Sequence, residues 1–164
     1  MGKIISLKSL GRELKALRKK KTPPRVVFTN GCFDIIHAGH VRYLKKAKSF
    51  GDILIVGLNS DSSVKEIKGE KRPIVPEKER AEVMAALSSV DYVCLFKETT
   101  PVKLIAAIKP GILVKGADWA AKEIAGADIV KKNSGRIKRI TLVQGQSTTN
   151  IIKRILELHR EKEG

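Results

Sequence analysis

The sequence predicts an α/β fold, a Rossmann-like open parallel sheet of about five strands with helices on both faces. Strand and helix patterns alternate along the chain, and parallel neighbours need the crossover connections that helices supply. The segment 52–58 is apolar along nearly its whole length rather than at alternate positions, as expected of a strand covered on both faces. The 164 residues, 42% hydrophobic, suffice for one domain with its own core.

The elements follow from apolar periodicity and from chain breakers. Ser6 can cap a first helix whose Leu7, Leu10, Leu14 and Leu17 share one face, and Pro23-Pro24 ends that segment. Strands are predicted at 25–29, 52–58, 91–96, 112–114 and 139–143. The later helices are predicted at 39–50, 60–67, 77–87, from Thr100-Pro101 to before Pro110, 125–132 and 148–160. Residues 1–24 are interpreted as a basic helical extension of the core domain.

Composition restricts the function classes. A net charge of +16 fits nucleic-acid binding, a basic surface around a polyphosphate site, or a solvated face. Nucleic-acid binders interleave basic and stacking aromatic residues, and the basic first helix has no aromatic residue, so nucleic acid is not expected as a partner. Two cysteines, Cys32 and Cys94, give no disulfide framework, and a cytoplasmic location is expected. We expect no membrane span and no signal peptide.

The strongest motif is His37-Ala38-Gly39-His40, which follows the first core strand and enters the next helix. A helix N-terminus presents free N–H groups and a partial positive charge, which together bind anions. Each imidazole adds hydrogen-bond donors, and Gly39 leaves room for a ligand to approach the backbone. The motif therefore predicts contacts with the α- and β-phosphates of a nucleoside triphosphate. The alternative is a pair of surface histidines without a ligand.

Two further segments suit phosphate groups. Ser147, Thr148 and Thr149 lie between the last strand and the last helix, where hydroxyls and free N–H groups meet, although the same residues also serve as ordinary helix caps. Lys68 and Arg72 belong to a basic loop that could close on a triphosphate or form a solvated turn.

These motifs resemble the HxGH cytidylyltransferase-like nucleotidyltransferase superfamily. The closer resemblance is to the adenylyltransferase half of bifunctional ADP-heptose synthases. It spans about residues 25–156 and assigns residues 25–164 to a nucleotidyltransferase domain. The segments that carry it are 28–34, 37–40, 56–64, 68–74, 86–91, 113–118, 125–128 and 145–149.

The resemblance implies transfer of AMP from ATP to D-glycero-β-D-manno-heptose 1-phosphate, which gives ADP-heptose and pyrophosphate. It implies catalytic roles for His37, His40 and Lys68. It implies nucleotide contacts by Thr29, Asn30, Cys32, Phe33, Asp34, Gly39, Asp61, Arg72, Lys115, Gly116, Asp118, Ser147, Thr148 and Thr149. Asp61 and Arg80 could equally form a cap or an ion pair, Asp34 could hold its loop, and Trp119 could stack on the base or pack. No acidic cluster with metal-ligand spacing is visible, so Mg²⁺ is expected to arrive on ATP.

Other members of the superfamily are the main alternative. A glycerol-3-phosphate cytidylyltransferase usually carries an arginine where this chain has Ser88-Ser89, and an Arg-Thr-Glu-Gly sequence where it has Leu142-Val143-Gln144-Gly145. Both departures argue against CTP and glycerol phosphate. An alternative from another class, a basic nucleic-acid-binding module, rests on charge alone. Superfamily members often pair, so a homodimer is expected.

Overall fold

Six parallel strands form one sheet in the computed structural model, which describes residues 2–118, 124–141, 143 and 145–160. In chain order the strands are β1 Lys3–Ile4, β2 Val26–Gly31, β3 Ile53–Asn59, β4 Tyr92–Phe96, β5 Ile112–Gly116 and β6 Arg136–Ile140. The helices are α1 Leu7–Arg18, α2 Ala38–Lys48, α3 Asp61–Lys68, α4 Glu77–Ala86, α5 Val102–Ile108, α6 Ala127–Lys132 and α7 Thr148–Arg160. The α/β fold class is therefore confirmed. Trp119 lies outside the described residues.

Helices cover both faces of the sheet, and each face has its own cluster of buried apolar side chains. Leu44 of α2 and Met84 of α4 are fully buried on one face. On the other face, α1, α5 and α6 contribute the second cluster, in which Leu10 and Leu14 of α1 are buried. The helix interpreted as an extension thus packs on the core with its leucine face, because that face would otherwise expose apolar side chains to water. The domain boundary at residue 24 stays a prediction.

Two strands depart from the predicted pattern, and both are at sheet edges. The strand β1 was not predicted, because two residues that pair only with Tyr92 and Val93 leave no periodic signal. The last strand begins at Arg136 rather than at residue 139, and its side chains are largely exposed. An edge strand tolerates charged residues. The basic segment that starts at Arg136 therefore pairs with β5, whereas hydrophobicity predicted a strand over the more apolar segment 139–143.

The strand order β1-β4-β3-β2-β5-β6 places β2 at the centre, between β3 and β5. The chain places β3 and β4 on one side of β2, and β5 and β6 on the other. The connections therefore diverge at β2 and leave a crevice at the carboxyl ends of the strands. The loops after β2 and β5 border this crevice. The fold therefore places the HxGH segment, which follows β2, at the expected ligand position.

A buried arginine fixes the loops around the crevice. Arg80 of α4 is 1% exposed, and its guanidinium donates to the backbone oxygens of Val75, Cys32 and Asn59 at 2.8, 2.6 and 2.9 Å. It also forms an ion pair with Asp61, Nη2 to Oδ1, at 2.7 Å. One side chain thus joins the ends of β2 and β3, the start of α3 and the loop before α4.

We expect Arg80→Ala to lower the free energy of unfolding by about 3–5 kcal/mol, because it leaves buried carbonyl groups and the Asp61 carboxylate without their partner. Urea unfolding followed by circular dichroism measures the loss. Glu82→Ala, at an exposed position of the same helix, is the matched control. A loss equal to that of the control would show that the network contributes little to stability.

Candidate active site

A cavity of about 590 Å³ opens at the carboxyl ends of β2, β3 and β5 and beside the segment after β4. Its size is ordinary for a small-molecule site. Every predicted site residue except Thr29 and Asp61 lines it. These lining residues are His37, His40, Lys68, Asn30, Cys32, Phe33, Asp34, Gly39, Arg72, Lys115, Gly116, Asp118, Ser147, Thr148 and Thr149.

Thr29 and Asp61 have structural contacts instead. Thr29 is fully buried, and its hydroxyl shares a 2.8 Å hydrogen bond with the Tyr43 hydroxyl. Asp61 starts α3 and pairs with the buried side chain of Arg80. Both residues act on the site through the elements that they hold in place.

The two histidines of the motif form a stacked pair at the start of α2. His37 is the N-cap residue, and its ring centroid lies 3.8 Å from that of His40, with 24° between the planes. Phe33 supports the pair, with its ring edge-on to His40 at 5.2 Å. Phe33 has a positive φ of 42°, a conformation that costs a non-glycine residue about 1 kcal/mol. This turn brings the Phe33 ring against His40 and sends the chain on toward Asp34.

Both rings are held neutral. Burial lowers the pKa of His37. Burial, and then the neighbouring His37, lower the pKa of His40 to about 4, against a small opposing effect of the Ile35 carbonyl. The Nδ1 atoms of both rings are buried without a hydrogen-bond partner among the described residues. A buried polar atom without a partner is costly, so the two Nδ1 atoms are an unusual feature of this cavity.

A second helix N-terminus faces the same cavity. Ser147 caps α7, because its hydroxyl accepts from the Asn150 N–H at 3.1 Å. Thr148 donates to the backbone oxygen of Ile35 at 3.4 Å, which joins the start of α7 to the loop before α2. Both interpretations of Ser147 therefore hold geometrically, as a helix cap and as a cavity residue. Two helix N-termini thus face one cavity, an arrangement that favours anions.

Gly39 is needed for a reason other than ligand approach. A Cβ atom at this position would lie 2.9 Å from His37 Nδ1 and 3.2 Å from Gln146 Oε1. The space above Gly39 is thus filled by the His37 ring and by Gln146 of the segment before α7. The glycine allows the ring to lie across the helix start.

Asp34 holds the basic loop over the end of β2. Its side chain is 1% exposed and accepts from Arg72 Nε at 2.6 Å, and it also accepts from the backbone N–H groups of Ile74 and Val75. Burial alone would raise the pKa of Asp34, but the hydrogen bonds of Val75, Ile74 and Arg72 outweigh it and the pKa is lowered. The carboxylate therefore positions Arg72, whose Nε is engaged, at the cavity wall.

Further polar and cationic groups line the floor and walls. Lys115 donates to the Asn30 side-chain oxygen at the ends of β5 and β2. Burial lowers the pKa of Lys115 to about 8, against the opposing charges of Asp118 and Cys32. Burial raises the pKa of the Cys32 thiol, so its backbone oxygen, bound by Arg80, is the part of Cys32 that orders the site. Lys68 ends α3 beside the same cavity.

Several lining residues were not predicted. Tyr43 follows His40 by one helical turn, and helical spacing could have found it. Thr99 and Thr100 come directly after the fourth strand along the chain, and the rule that ligands bind beyond the carboxyl ends of strands could have indicated them. The unpredicted lining residues include Tyr43, Asn59, Ile67, Thr99, Thr100, Pro101, Ile124, Ala125, Val143 and Gln146.

In the part of the chain that the structure describes, no three His, Cys, Asp or Glu residues cluster closely enough to hold a metal ion. Over the same residues, no helix combines the length and apolar character that a membrane crossing requires.

The histidine pair predicts a pH dependence of stability. A histidine whose pKa is lowered by folding stabilises the folded state fully above its unfolded pKa of about 6.5, and that stability is lost as the pH falls toward 4. We therefore expect the melting temperature to fall between pH 7 and pH 5, and to fall less in His40→Gln. Differential scanning fluorimetry measures both slopes, with the exposed His159→Gln as control. Equal slopes in all three proteins would contradict the neutral buried pair.

Comparison with known proteins assigns the fold and the family. The family model described as cytidylyltransferase-like matches residues 28–154. A lipopolysaccharide core biosynthesis protein from Thermoplasma volcanium superposes with a TM-score of 0.62 at 30% identity, covering 75% of this chain and 99% of that one. A pantoate-beta-alanine ligase from Francisella tularensis, 15% identical with a TM-score of 0.57 over 98% of this chain and 80% of that one, shares the fold.

Similar curated proteins are named bifunctional protein HldE. The one from Geobacter metallireducens is 50% identical over 160 residues, which is 98% of this chain and 32% of that protein. The one from Campylobacter concisus is 56% identical over 149 residues, 91% of this chain and 30% of that protein. This chain therefore spans about a third of the length of these relatives. The family model covers most of the chain, including the histidine pair and the start of α7, and the chain belongs to the cytidylyltransferase-like family of nucleotidyltransferases.

Proposed function

We propose that the chain transfers AMP from ATP to D-glycero-β-D-manno-heptose 1-phosphate and releases pyrophosphate. The observation that carries the proposal is the stacked His37–His40 pair at a cavity where the N-termini of α2 and α7 converge. Such a site binds a polyphosphate. The acceptor is supported by the relatives named HldE, by the neighbour named for lipopolysaccharide core biosynthesis, and by the resemblance of the motifs.

The reaction needs positioning more than proton transfer. The attacking group is an oxygen of the sugar phosphate, which is already anionic near neutral pH, so no general base has to activate it. This oxygen forms a bond to the α-phosphorus of ATP. The bond between the α-phosphorus and the bridging oxygen breaks on the opposite side, and pyrophosphate leaves with the electron pair. The protein then has to align the two phosphates and stabilise the charge that spreads over the equatorial oxygens.

Neutral histidines suit that task. An uncharged imidazole offers one N–H donor and, held in a fixed orientation, needs no rearrangement when charge develops on a phosphate oxygen. His37 and His40 are held in place by stacking on each other and by the Phe33 ring. The free N–H groups at the start of α2 complete a cradle around the α- and β-phosphates.

The other residues that line the cavity contact different parts of the nucleotide. Ser147, Thr148 and Thr149 at the start of α7 receive the β- and γ-phosphates. Gly116, the last residue of β5, and Asp118 beyond it contact base and ribose, with Asn30 and Lys115 on the floor. Lys68 and Arg72 neutralise the crowded phosphates, since two anionic substrates must approach each other. Mg²⁺ enters as the counter-ion of ATP.

A homodimer and a cytoplasmic location complete the proposal. The homodimer is supported by resemblance to a superfamily whose members often pair. The cytoplasmic location is supported by the use of ATP and by the free thiols of Cys32 and Cys94.

Pyrophosphate release tests the proposed function. ATP, CTP, GTP and UTP are each combined with a panel of sugar 1-phosphates and with glycerol 3-phosphate. We expect turnover with ATP and the heptose 1-phosphate. Turnover with CTP and glycerol phosphate would keep the mechanism but replace the substrates. No turnover with any pair, from a folded sample, would contradict the proposal and direct attention to nucleic acid, whose binding a salt titration would then measure.

Removal of either histidine tests the site. We expect His37→Ala and His40→Ala each to lower kcat by about 100- to 1000-fold, the usual cost of one donor to a developing oxyanion. The exposed His159→Ala is the matched control. Steady-state kinetics on variants with unchanged circular dichroism give the result. Turnover at the level of the control in either folded variant would place the triphosphate elsewhere.

A further inference from the structure

We propose that Thr99 and Thr100, together with Ile67 and Pro101, form a subsite for the uncharged sugar body of the acceptor. This assignment rests on the proposed function and extends it to the residues that select the acceptor. All four residues line the same cavity as the histidine pair. Thr99, Thr100 and Pro101 come from the β4–α5 connection, which the nucleotide contacts above do not use, and Ile67 lies beside Lys68 at the end of α3.

The cavity extends across four strands of the sheet, so its two ends lie far enough apart to bind different groups. Its lining residues follow four adjacent strands in the order β4, β3, β2, β5. Neighbouring strands lie about 4.8 Å apart, so the ends of β4 and β5 are roughly 14 Å apart. The nucleotide contacts fall on the β2 and β5 side, from the histidine pair to Asp118. The β3 and β4 side is left for the second substrate.

Charge divides the cavity in the same way. Arg72 is tied to Asp34 directly beyond β2, so this cation lies near the centre of the sheet, where the two phosphates must meet. The part of the lining contributed by the β4–α5 connection, Thr99, Thr100 and Pro101, carries no charge. A phosphate would be poorly placed there, whereas a neutral polyol would not.

The chemistry of this wall matches a sugar. A threonine hydroxyl both donates and accepts, as each sugar hydroxyl does. Thr99 and Thr100 are exposed to the cavity, and no protein hydrogen bond involves their hydroxyls within the described residues. Ile67 is 41% exposed, and it offers an apolar surface for the C–H groups of a pyranose ring.

The connection that carries the threonines is fixed in place. The Ser63 hydroxyl of α3 donates to the backbone oxygen of Glu98 at 2.8 Å. The Glu98 carboxylate pairs with Lys103 of α5 at 2.8 Å, and Pro101 is buried. Both ends of the short segment are therefore anchored. Hydroxyls on an anchored segment can select one arrangement of acceptor hydroxyls, because little order has to be gained on binding.

Kinetics with each substrate varied separately test the subsite. We expect Thr99→Val and Thr100→Val each to lower kcat/KM for the heptose phosphate by about 3- to 10-fold, the range for one neutral hydrogen bond. The KM for ATP should stay within about 2-fold of wild type. Thr99→Ser and Thr100→Ser retain the hydroxyl and should recover most of the loss. Thr22→Val, at an exposed position outside the cavity lining, is the matched control.

The outcomes separate the subsite from the function. Wild-type turnover with valine variants equal to Thr22→Val would overturn the subsite and leave the proposed function standing. An increase in the KM for ATP, without a change for the acceptor, would also overturn it, since the threonines would then serve the nucleotide. No wild-type turnover with any sugar phosphate would overturn the proposed function, and the subsite with it.

Discussion

The buried guanidinium of Arg80 is the contact on which the geometry of the site depends. Parallel strands end with backbone carbonyls that lack a further partner, and a buried carbonyl must be satisfied. Arg80 satisfies the carbonyls of Cys32 and Asn59 at two neighbouring strand ends and that of Val75 in the following loop. A lysine could not replace it, because an ammonium group lacks the planar set of five donors that reaches three carbonyls and Asp61 together. Because Arg80 binds these segments from the core side, they border the crevice without filling it.

Asp34 adds a second layer of order above this network. Its carboxylate accepts from Ile74, Val75 and Arg72, so the loop that Arg80 holds at Val75 is also held from the β2 side. The basic loop is therefore positioned before substrate arrives, at least at Arg72. Lys68, at the end of α3, is exposed and forms no ion pair with Asp34 within the described residues. A fixed arginine beside an exposed lysine suits a reaction in which one phosphate is aligned and a second departs.

Local patterns predicted much of the molecule, and contacts between distant segments account for what they missed. The apolar run at 52–58 predicted β3. The residues at the starts of α2 and α7 predicted an anion site. Each of these signals lies within a few consecutive residues. The role of Asp34 depends on residues about forty positions away, which no local pattern records. The resemblance implied a nucleotide contact for Thr29, but no local pattern indicated that its hydroxyl would bond to Tyr43. The start of β6 at Arg136 was missed for the same reason, since its position at the sheet edge depends on pairing with β5, which a local pattern does not record.

The neutral histidine pair would let so basic a protein carry out the proposed function without a full charge at the reacting atom. Burial disfavours a proton on either ring, and stacking at 3.8 Å further opposes protonation of both rings together, because one positive charge would then face another. In the proposed function the pair meets the α-phosphate as dipoles, while Arg72 and Lys115 supply charge from the surrounding wall and floor.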